Sequence, residues 1–166
     1  MDQALEALSR RVGEALLETR DVLVTAESCT GGWIGAVVTM VSGSSRWYDR
    51  GFITYSNAAK EAVLGVPAET LVRHGAVSEP TVIAMVDGSL RASGASLAVA
   101  VSGVAGPTGG SAEKPVGTVC IAWGRDDGTR LSVTLHFPGD REAVRRATVV
   151  RALEGVVDLA GEARTA

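Results

Sequence analysis

A serine and a lysine are the residues whose types and positions in this sequence suit nucleophilic catalysis. Ser28 lies in the segment ESCTGG (27–32), between a short apolar run and a helical pattern, and Lys60 follows Tyr55 at a strand-to-helix junction. A lysine whose pKa is lowered by burial can act as general base for a serine, whereas arginine stays protonated. The residues alone equally allow Ser28 or Thr30 to cap a helix and Lys60 to be a solvated surface cation.

Two glycine-containing loops could bind an anion through their backbone amides. Thr30, Gly31 and Gly32 begin a predicted helix, where N–H groups favour an oxyanion. The second loop, SGVAGPTGG (102–110), follows a buried apolar run and could hold a phosphate. It matches neither a Walker A nor a GxGxxG motif, so an ordinary long turn is an equally good interpretation. The candidate contacts in this loop are Ser102, Gly103, Gly106, Thr108 and Gly109.

Further candidates lie at the start of the last predicted helix and beside the serine. Arg141 and Arg145 are spaced about one helical turn apart, and a guanidinium suits phosphate recognition. A solvated basic face is the simpler alternative for both. Cys29 could be a thiolate at a helix start, but no histidine is near it in sequence, which favours a small buried residue. No cluster has metal-ligand spacing, so we expect no metal and no cofactor.

Composition bounds the class of protein. The chain has 166 residues, of which 46% are hydrophobic and 21% charged, which predicts one globular domain spanning 1–166. A net charge of −3 argues against nucleic-acid binding, and no apolar run approaches the length of a membrane span. The first residues lack the pattern of a signal peptide, so we expect a cytoplasmic protein. Of 16 Lys and Arg residues, only Lys60 and Lys114 are lysines.

The elements that must position these residues follow from hydrophobic periodicity. Helices at both ends and in the middle, with two strands buried on both faces, predict an α/β fold: a three-layer α/β/α single domain with a mixed β-sheet. Consecutive strands after residue 95 argue against a purely parallel Rossmann sheet. The predicted helices are 1–18, 33–43, 58–64, 78–90 and 140–159, and the predicted strands are 22–24, 50–56, 97–101, 116–123 and 131–137.

Six ordered motifs resemble those of one family. They are TAESCTGG (25–32), ITYSNAAK (53–60), GAVSE (75–79), SGVAGPTGG (102–110), KPVGTV (114–119) and FPGDRE (137–142). Together they resemble the C-terminal domain of the competence/damage-inducible CinA proteins, and they cover nearly the whole chain. In its stand-alone form that domain is a nicotinamide-nucleotide amidase.

The resemblance implies a bacterial amidohydrolase that converts nicotinamide mononucleotide to nicotinic acid mononucleotide and ammonia, in NAD salvage. It implies Ser28 as nucleophile, Lys60 as general base acting directly or through Tyr55, and no metal. Amides of residues 30–32 would hold the oxyanion, and the 103–110 loop with Arg141 or Arg145 would hold the phosphate. Two positions depart from the family pattern. Ser102 replaces a usual Thr and keeps a hydroxyl, whereas Thr108 replaces a common Asp and removes a carboxylate.

Two other functions remain compatible with these residues. A non-catalytic module that binds pyridine nucleotides, linked to competence or damage response, would use the same glycine loops without needing a lowered Lys60 pKa. A cysteine amidase would use Cys29 in place of Ser28. The partner expected for the chain itself is a second copy, because exposed apolar helix faces permit a homodimer.

Overall fold

Five strands form one mixed sheet in the computed structural model, which describes residues 2–164. The order across the sheet is β2-β1-β3-β4-β5, with β1 parallel to β2 and β3, and antiparallel pairing from β3 to β5. The central strands β3 and β4 are buried on both faces, which explains their almost continuous apolar sequences. The strands are β1 (Leu23–Glu27), β2 (Tyr48–Ile53), β3 (Leu97–Gly103), β4 (Thr118–Arg125) and β5 (Arg130–His136).

Helices cover both faces of the sheet, as the sequence predicts. Apolar residues of α1, α2 and α6 pack in one core cluster, and those of α3, α4 and α5 pack in a second cluster on the opposite face. No helix within residues 2–164 is long and apolar enough to cross a membrane. The helices are α1 (Gln3–Thr19), α2 (Trp33–Val38), α3 (Asn57–Leu64), α4 (Ala68–His74), α5 (Glu79–Ala92) and α6 (Arg141–Ala160).

Several predicted boundaries are wrong for identifiable reasons. The strand predicted at 50–56 is Tyr48–Ile53, because Ser56 caps α3 by accepting a hydrogen bond from the Ala59 N–H at 3.0 Å. The strand predicted at 22–24 is Leu23–Glu27, because it continues past Val24 through Thr25 and Glu27, which are polar but buried. The strand predicted at 116–123 is displaced by two residues. The helix predicted to end near Gly43 ends at Val38.

The predicted order also omits one helix. The seven residues of α4 form a helix that begins directly after Pro67, and a helix of this length is too short to show a periodic apolar pattern. Its C-terminal end leads into the segment GAVSE (75–79), which precedes α5.

The parallel strands bring three loops to one edge of the sheet. Glu27 at the end of β1 lies beside Val101 in β3, and the Ser28 N–H donates to the Val101 carbonyl at 3.1 Å. Because β2 runs in the same direction, the segment that follows it also leaves at this edge. The loops that begin at Ser28, Thr54 and Val104 therefore converge, as expected for ligand sites beyond the carboxyl ends of parallel strands.

Candidate active site

Ser28 and Lys60 are in direct contact, although 32 residues separate them in sequence. The Lys60 Nζ lies 2.9 Å from the Ser28 Oγ and 2.8 Å from the Thr54 carbonyl oxygen. Lys60 projects from the buried side of the short helix α3 and is only 1% exposed, while Ser28 is 7% exposed. These are normal hydrogen-bond distances, so a proton can pass between the serine and the amine without an intermediate group.

The surroundings of Lys60 favour its neutral form. Burial lowers the pKa of the Lys60 amine below its ordinary value of 10.5. Its hydrogen-bond neighbours are a hydroxyl and a carbonyl, and no ion pair within residues 2–164 involves it. An amine that loses water without gaining a counter-ion loses its proton more easily. In the neutral form, the Ser28 hydroxyl donates to the Lys60 lone pair and a Lys60 N–H donates to Thr54.

The lowered Lys60 pKa predicts a pH dependence of stability. Between that pKa and 10.5 the unfolded chain binds more protons than the folded chain, so the free energy of unfolding rises with pH in this window. The Lys60→Met variant lacks this amine and therefore lacks its contribution to the pH dependence of the free energy of unfolding. In urea unfolding from about pH 7 to about pH 10, we expect the unmodified chain to gain stability relative to the variant. Parallel pH dependences in the two proteins would contradict a lowered Lys60 pKa.

The carboxylate of Glu27 occupies the amino end of α2. Its Oε1 accepts from the Thr30 hydroxyl at 2.5 Å and from the N–H groups of Gly32 and Ile34 at 3.2 and 2.9 Å. Its Oε2 accepts from the Gly35 N–H at 3.0 Å. The negative charge that a helix start favours therefore comes from the protein itself. Thr30, predicted to contact substrate, is fully buried and uses its hydroxyl on this carboxylate.

The predicted oxyanion donors need correction as a consequence. The Gly31 N–H donates to the Ser28 carbonyl at 3.0 Å and the Gly32 N–H donates to Glu27, so neither amide is available. The amides of Cys29 and Thr30 directly follow the serine, and neither donates to a backbone carbonyl within residues 2–164. The amide after a nucleophile is a common oxyanion donor. The two glycines instead adopt φ angles of 61° and 101°, which turn the chain into α2.

A cavity of about 230 Å³ opens at Ser28 and Lys60. Predicted residues that also line it are Tyr55, Ser102, Gly103 and Arg141. The Ser102 side chain is almost fully buried and lines this cavity. A polar group of a substrate in the cavity would therefore lie beside the Ser102 hydroxyl.

One wall of the cavity, between α4 and α5, was not predicted from the sequence. Ala76 and Val77 line it from the segment between α4 and α5. This segment is held by the hydroxyls of Ser78 and Thr81, which donate to the Gly75 carbonyl at 2.9 and 2.7 Å. The motif GAVSE was the only sequence signal for this wall, because small apolar residues carry no chemistry of their own.

Tyr55 and Arg141 form a pair at the mouth of the cavity. Tyr55 is 62% exposed, and its hydroxyl accepts from the Arg141 Nη2 at 3.1 Å. The Arg141 Nη1 donates to the Gly106 carbonyl at 2.8 Å. The Tyr55 hydroxyl makes no hydrogen bond to Ser28 or Lys60, whereas Lys60 contacts Ser28 directly.

The glycine loop 102–110 lines this cavity with Ser102, Gly103 and Ala105 only. Gly106 acts through its carbonyl on Arg141, as above, and does not line the cavity. Thr108 and Gly109 are exposed and lie outside the cavity lining. The loop turns away after Gly106 and closes through the Ser111 N–H, which donates to the Lys114 carbonyl at 2.9 Å. The departure from the family pattern at Thr108 therefore lies outside this cavity.

Arg145, predicted as a possible phosphate ligand, lines a cavity of about 410 Å³ together with Arg141 and also contacts the backbone. Its Nε donates to the Cys29 carbonyl at 3.1 Å, and its Nη2 donates to the Thr30 carbonyl at 2.9 Å. Its guanidinium carbon lies 5.4 Å from the centroid of the Trp33 ring. The side chain thus joins α6 to the loop that carries Ser28.

The neighbouring thiol is a poor nucleophile. Burial raises the pKa of Cys29 to about 12, so it stays protonated near neutral pH and does not form a thiolate. Cys29 therefore lacks the thiolate that a cysteine nucleophile needs. Within residues 2–164, no group of three or more His, Cys, Asp or Glu side chains is arranged to hold a metal ion.

Known proteins match this chain over almost its whole length. The model of the CinA C-terminal domain matches residues 5–160. The nicotinamide-nucleotide amidohydrolase PncC of Escherichia coli (strain K12) is 52% identical and covers 92% of this chain and 93% of its own. The protein of the same name from Pseudomonas putida is 54% identical, with 95% and 98% covered.

A solved structure has the same fold. The crystal structure of the competence/damage inducible protein CihA from Agrobacterium tumefaciens superposes with a TM-score of 0.92 at 45% identity, covering 96% of this chain and 97% of its own. This chain belongs to the family of CinA C-terminal domains.

Proposed function

We propose that this chain is a nicotinamide-nucleotide amidohydrolase, which converts nicotinamide mononucleotide and water to nicotinic acid mononucleotide and ammonia. The observation that carries the proposal is the direct contact of the buried Lys60 amine with the Ser28 hydroxyl, at 2.9 Å. The substrate is supported by relatives more than 50% identical that bear the name of this activity. The product would return to pyridine nucleotide salvage.

In the first half-reaction, Ser28 becomes acylated. Neutral Lys60 takes the Ser28 proton as Oγ attacks the carboxamide carbon. The oxyanion that forms meets the amides of Cys29 and Thr30, each of which is worth about 3 kcal/mol in a typical oxyanion site. Protonated Lys60 then gives its proton to the leaving nitrogen. The C–N bond breaks, ammonia departs, and an ester remains on Ser28.

In the second half-reaction, water removes the acyl group. Lys60, neutral again after ammonia has left with the proton, takes a proton from water while the water oxygen attacks the ester carbon. Collapse of the second tetrahedral intermediate breaks the bond to Ser28, and Lys60 returns the proton to the serine oxygen. Nicotinic acid mononucleotide leaves, and the amine and hydroxyl return to their starting states.

The size of the cavity indicates how the nucleotide would lie. Its volume of about 230 Å³ is below the roughly 300–1,000 Å³ of sites that enclose drug-sized ligands. It therefore suits the pyridine carboxamide alone, with the Ser102 hydroxyl available to the amide group. Two neighbouring cavities of about 410 and 460 Å³ share Arg141 with it. The ribose and phosphate would extend outward past Arg141, which lines all three cavities and is therefore the cation that we expect to contact the phosphate.

Arg141→Gln tests this placement. One charge-assisted hydrogen bond is worth about 1.5–3 kcal/mol, so we expect KM for nicotinamide mononucleotide to rise roughly 10- to 100-fold. Nicotinamide riboside lacks the phosphate and should show a much smaller change. Arg146→Gln is the matched control, because Arg146 pairs with Asp2 at 2.8 Å. An equal KM change for both substrates would contradict a phosphate contact at Arg141.

The alternative of a non-catalytic binding module makes a different prediction for the unmodified chain. Such a module would bind nicotinamide mononucleotide to saturation without releasing ammonia. The buried Lys60 argues for catalysis, because nucleotide binding does not require an amine that has no counter-ion and touches a serine hydroxyl. Ammonia release measured beside binding separates the two functions.

A further inference from the structure

We propose that Arg145 is a positioning residue for the oxyanion site, because it holds the peptide group between Cys29 and Thr30 with the Thr30 N–H directed away from α6. The inference rests on the proposed function, since an oxyanion forms only when Ser28 attacks a carbonyl. Arg145 then positions a donor that stabilises the transition state, whereas Arg141 contacts the phosphate of the substrate.

The geometry of a trans peptide determines the direction of the Thr30 N–H. In a trans peptide, the C=O of one residue and the N–H of the next point in opposite directions. The Cys29 carbonyl faces the Arg145 Nε at 3.1 Å, so the Thr30 N–H in the same peptide faces away from Arg145. This amide donates to no backbone carbonyl within residues 2–164. Thr30 is fully buried, so this N–H is a buried donor with an unfilled hydrogen bond, two residues after Ser28.

The next peptide, between Thr30 and Gly31, is oriented in the same way, and its N–H group has an acceptor. The Thr30 carbonyl accepts from the Arg145 Nη2 at 2.9 Å, and the N–H of that peptide belongs to Gly31. The Gly31 N–H donates to the Ser28 carbonyl at 3.0 Å, on the side opposite Arg145. One guanidinium thus orients two successive peptides, and the N–H of the second points toward the backbone carbonyl of Ser28.

The charge of Arg145 adds to its geometric effect. No carboxylate within residues 2–164 forms an ion pair with it, and its guanidinium is held 5.4 Å from the Trp33 ring centroid. A cation on a peptide carbonyl draws electron density from the linked N–H and makes it a stronger donor. Because the planar fork reaches two carbonyls at once, a lysine cannot reproduce both contacts.

The first experiment compares Arg145→Gln and Arg145→Lys with Arg146→Gln, a control one position along the same helix. Loss of an oxyanion donor typically costs about 10²–10³ in kcat, so a misplaced donor should cost roughly 10- to 100-fold in Arg145→Gln, and less in Arg145→Lys. The loss should fall on kcat, leave KM nearly unchanged, and be equal for nicotinamide mononucleotide and nicotinamide riboside. A KM increase confined to the mononucleotide would overturn the inference and make Arg145 a phosphate ligand.

The second experiment does not depend on the nicotinamide substrate. p-Nitrophenyl acetate acylates a reactive serine, and intact mass with peptide mapping measures acetylation of Ser28. We expect slower acetylation in Arg145→Gln than in the unmodified chain and Arg146→Gln, with similar urea midpoints. If no nicotinamide compound is hydrolysed but this slowing is seen, the proposed function fails and the role of Arg145 stands. Equal acetylation rates, or no acetylation of Ser28 in the unmodified chain, would overturn that role.

Discussion

Lys60→Arg is expected to lower kcat for nicotinamide mononucleotide by about 10³-fold or more. A general base typically contributes 10²–10⁴-fold, and arginine cannot supply a lone pair because it stays protonated in proteins. The larger guanidinium must also fit where a 1% exposed amine now touches the Ser28 Oγ and the Thr54 carbonyl. Ammonia release at saturating substrate measures the loss.

Lys114→Arg is the matched control, since it makes the same chemical change at the other lysine of the chain. The Lys114 Nζ donates to the His74 carbonyl at 2.7 Å, at the C-terminal end of α4, where either cation stabilises the helix. We expect its kcat to stay within about threefold of the unmodified chain, as for surface substitutions of under 1 kcal/mol. Similar losses of kcat in both variants would contradict the role of Lys60 as general base.

Ser28→Ala is expected to lower kcat by about 10⁴-fold or more, while binding of nicotinamide mononucleotide persists. Removal of a catalytic serine leaves only the activity of the oxyanion site and of substrate binding. The Lys60 amine would lose one hydrogen-bond partner and keep the Thr54 carbonyl, so the fold should remain intact. Ammonia release measures the rate, and isothermal titration measures binding to the inactive variant.

Residual turnover distinguishes the possible outcomes of this substitution. Activity in Ser28→Ala near that of the unmodified chain would remove the serine from the mechanism. Activity that persists and is then lost on thiol alkylation would transfer the role to Cys29. That outcome conflicts with the pKa of this thiol, which burial raises to about 12.

The fold follows from the sequence because its signals are local and repeated. Buried strands such as β3 have continuous apolar runs, and the caps at Ser78 and Asp140 mark helix starts within a few residues. The missed helix α4 and the shortened α2 have too few residues to produce a periodic pattern. These differences leave the layer arrangement unchanged, because the long elements determine it.

The site is only partly visible in the sequence, for a physical reason. The pairing of Ser28 with Lys60 follows the resemblance to a family, but their distance comes from the parallel arrangement of β1 and β2. The contact of Arg145 with the Cys29 carbonyl spans 116 positions, and no local pattern encodes such a bond. Glu27 was missed because a carboxylate in a buried strand contradicts the apolar pattern used to find strands.

The most direct test of the mechanism is the mass of the chain during turnover. The methyl ester of nicotinic acid mononucleotide has a better leaving group than the amide, so the acyl-enzyme should accumulate when the reaction is quenched in acid. Peptide mapping should then find the nicotinate nucleotide as an ester on Ser28, and no adduct in Ser28→Ala. Hydrolysis of the ester with an acyl group on Cys29, or with none on Ser28, would contradict the mechanism.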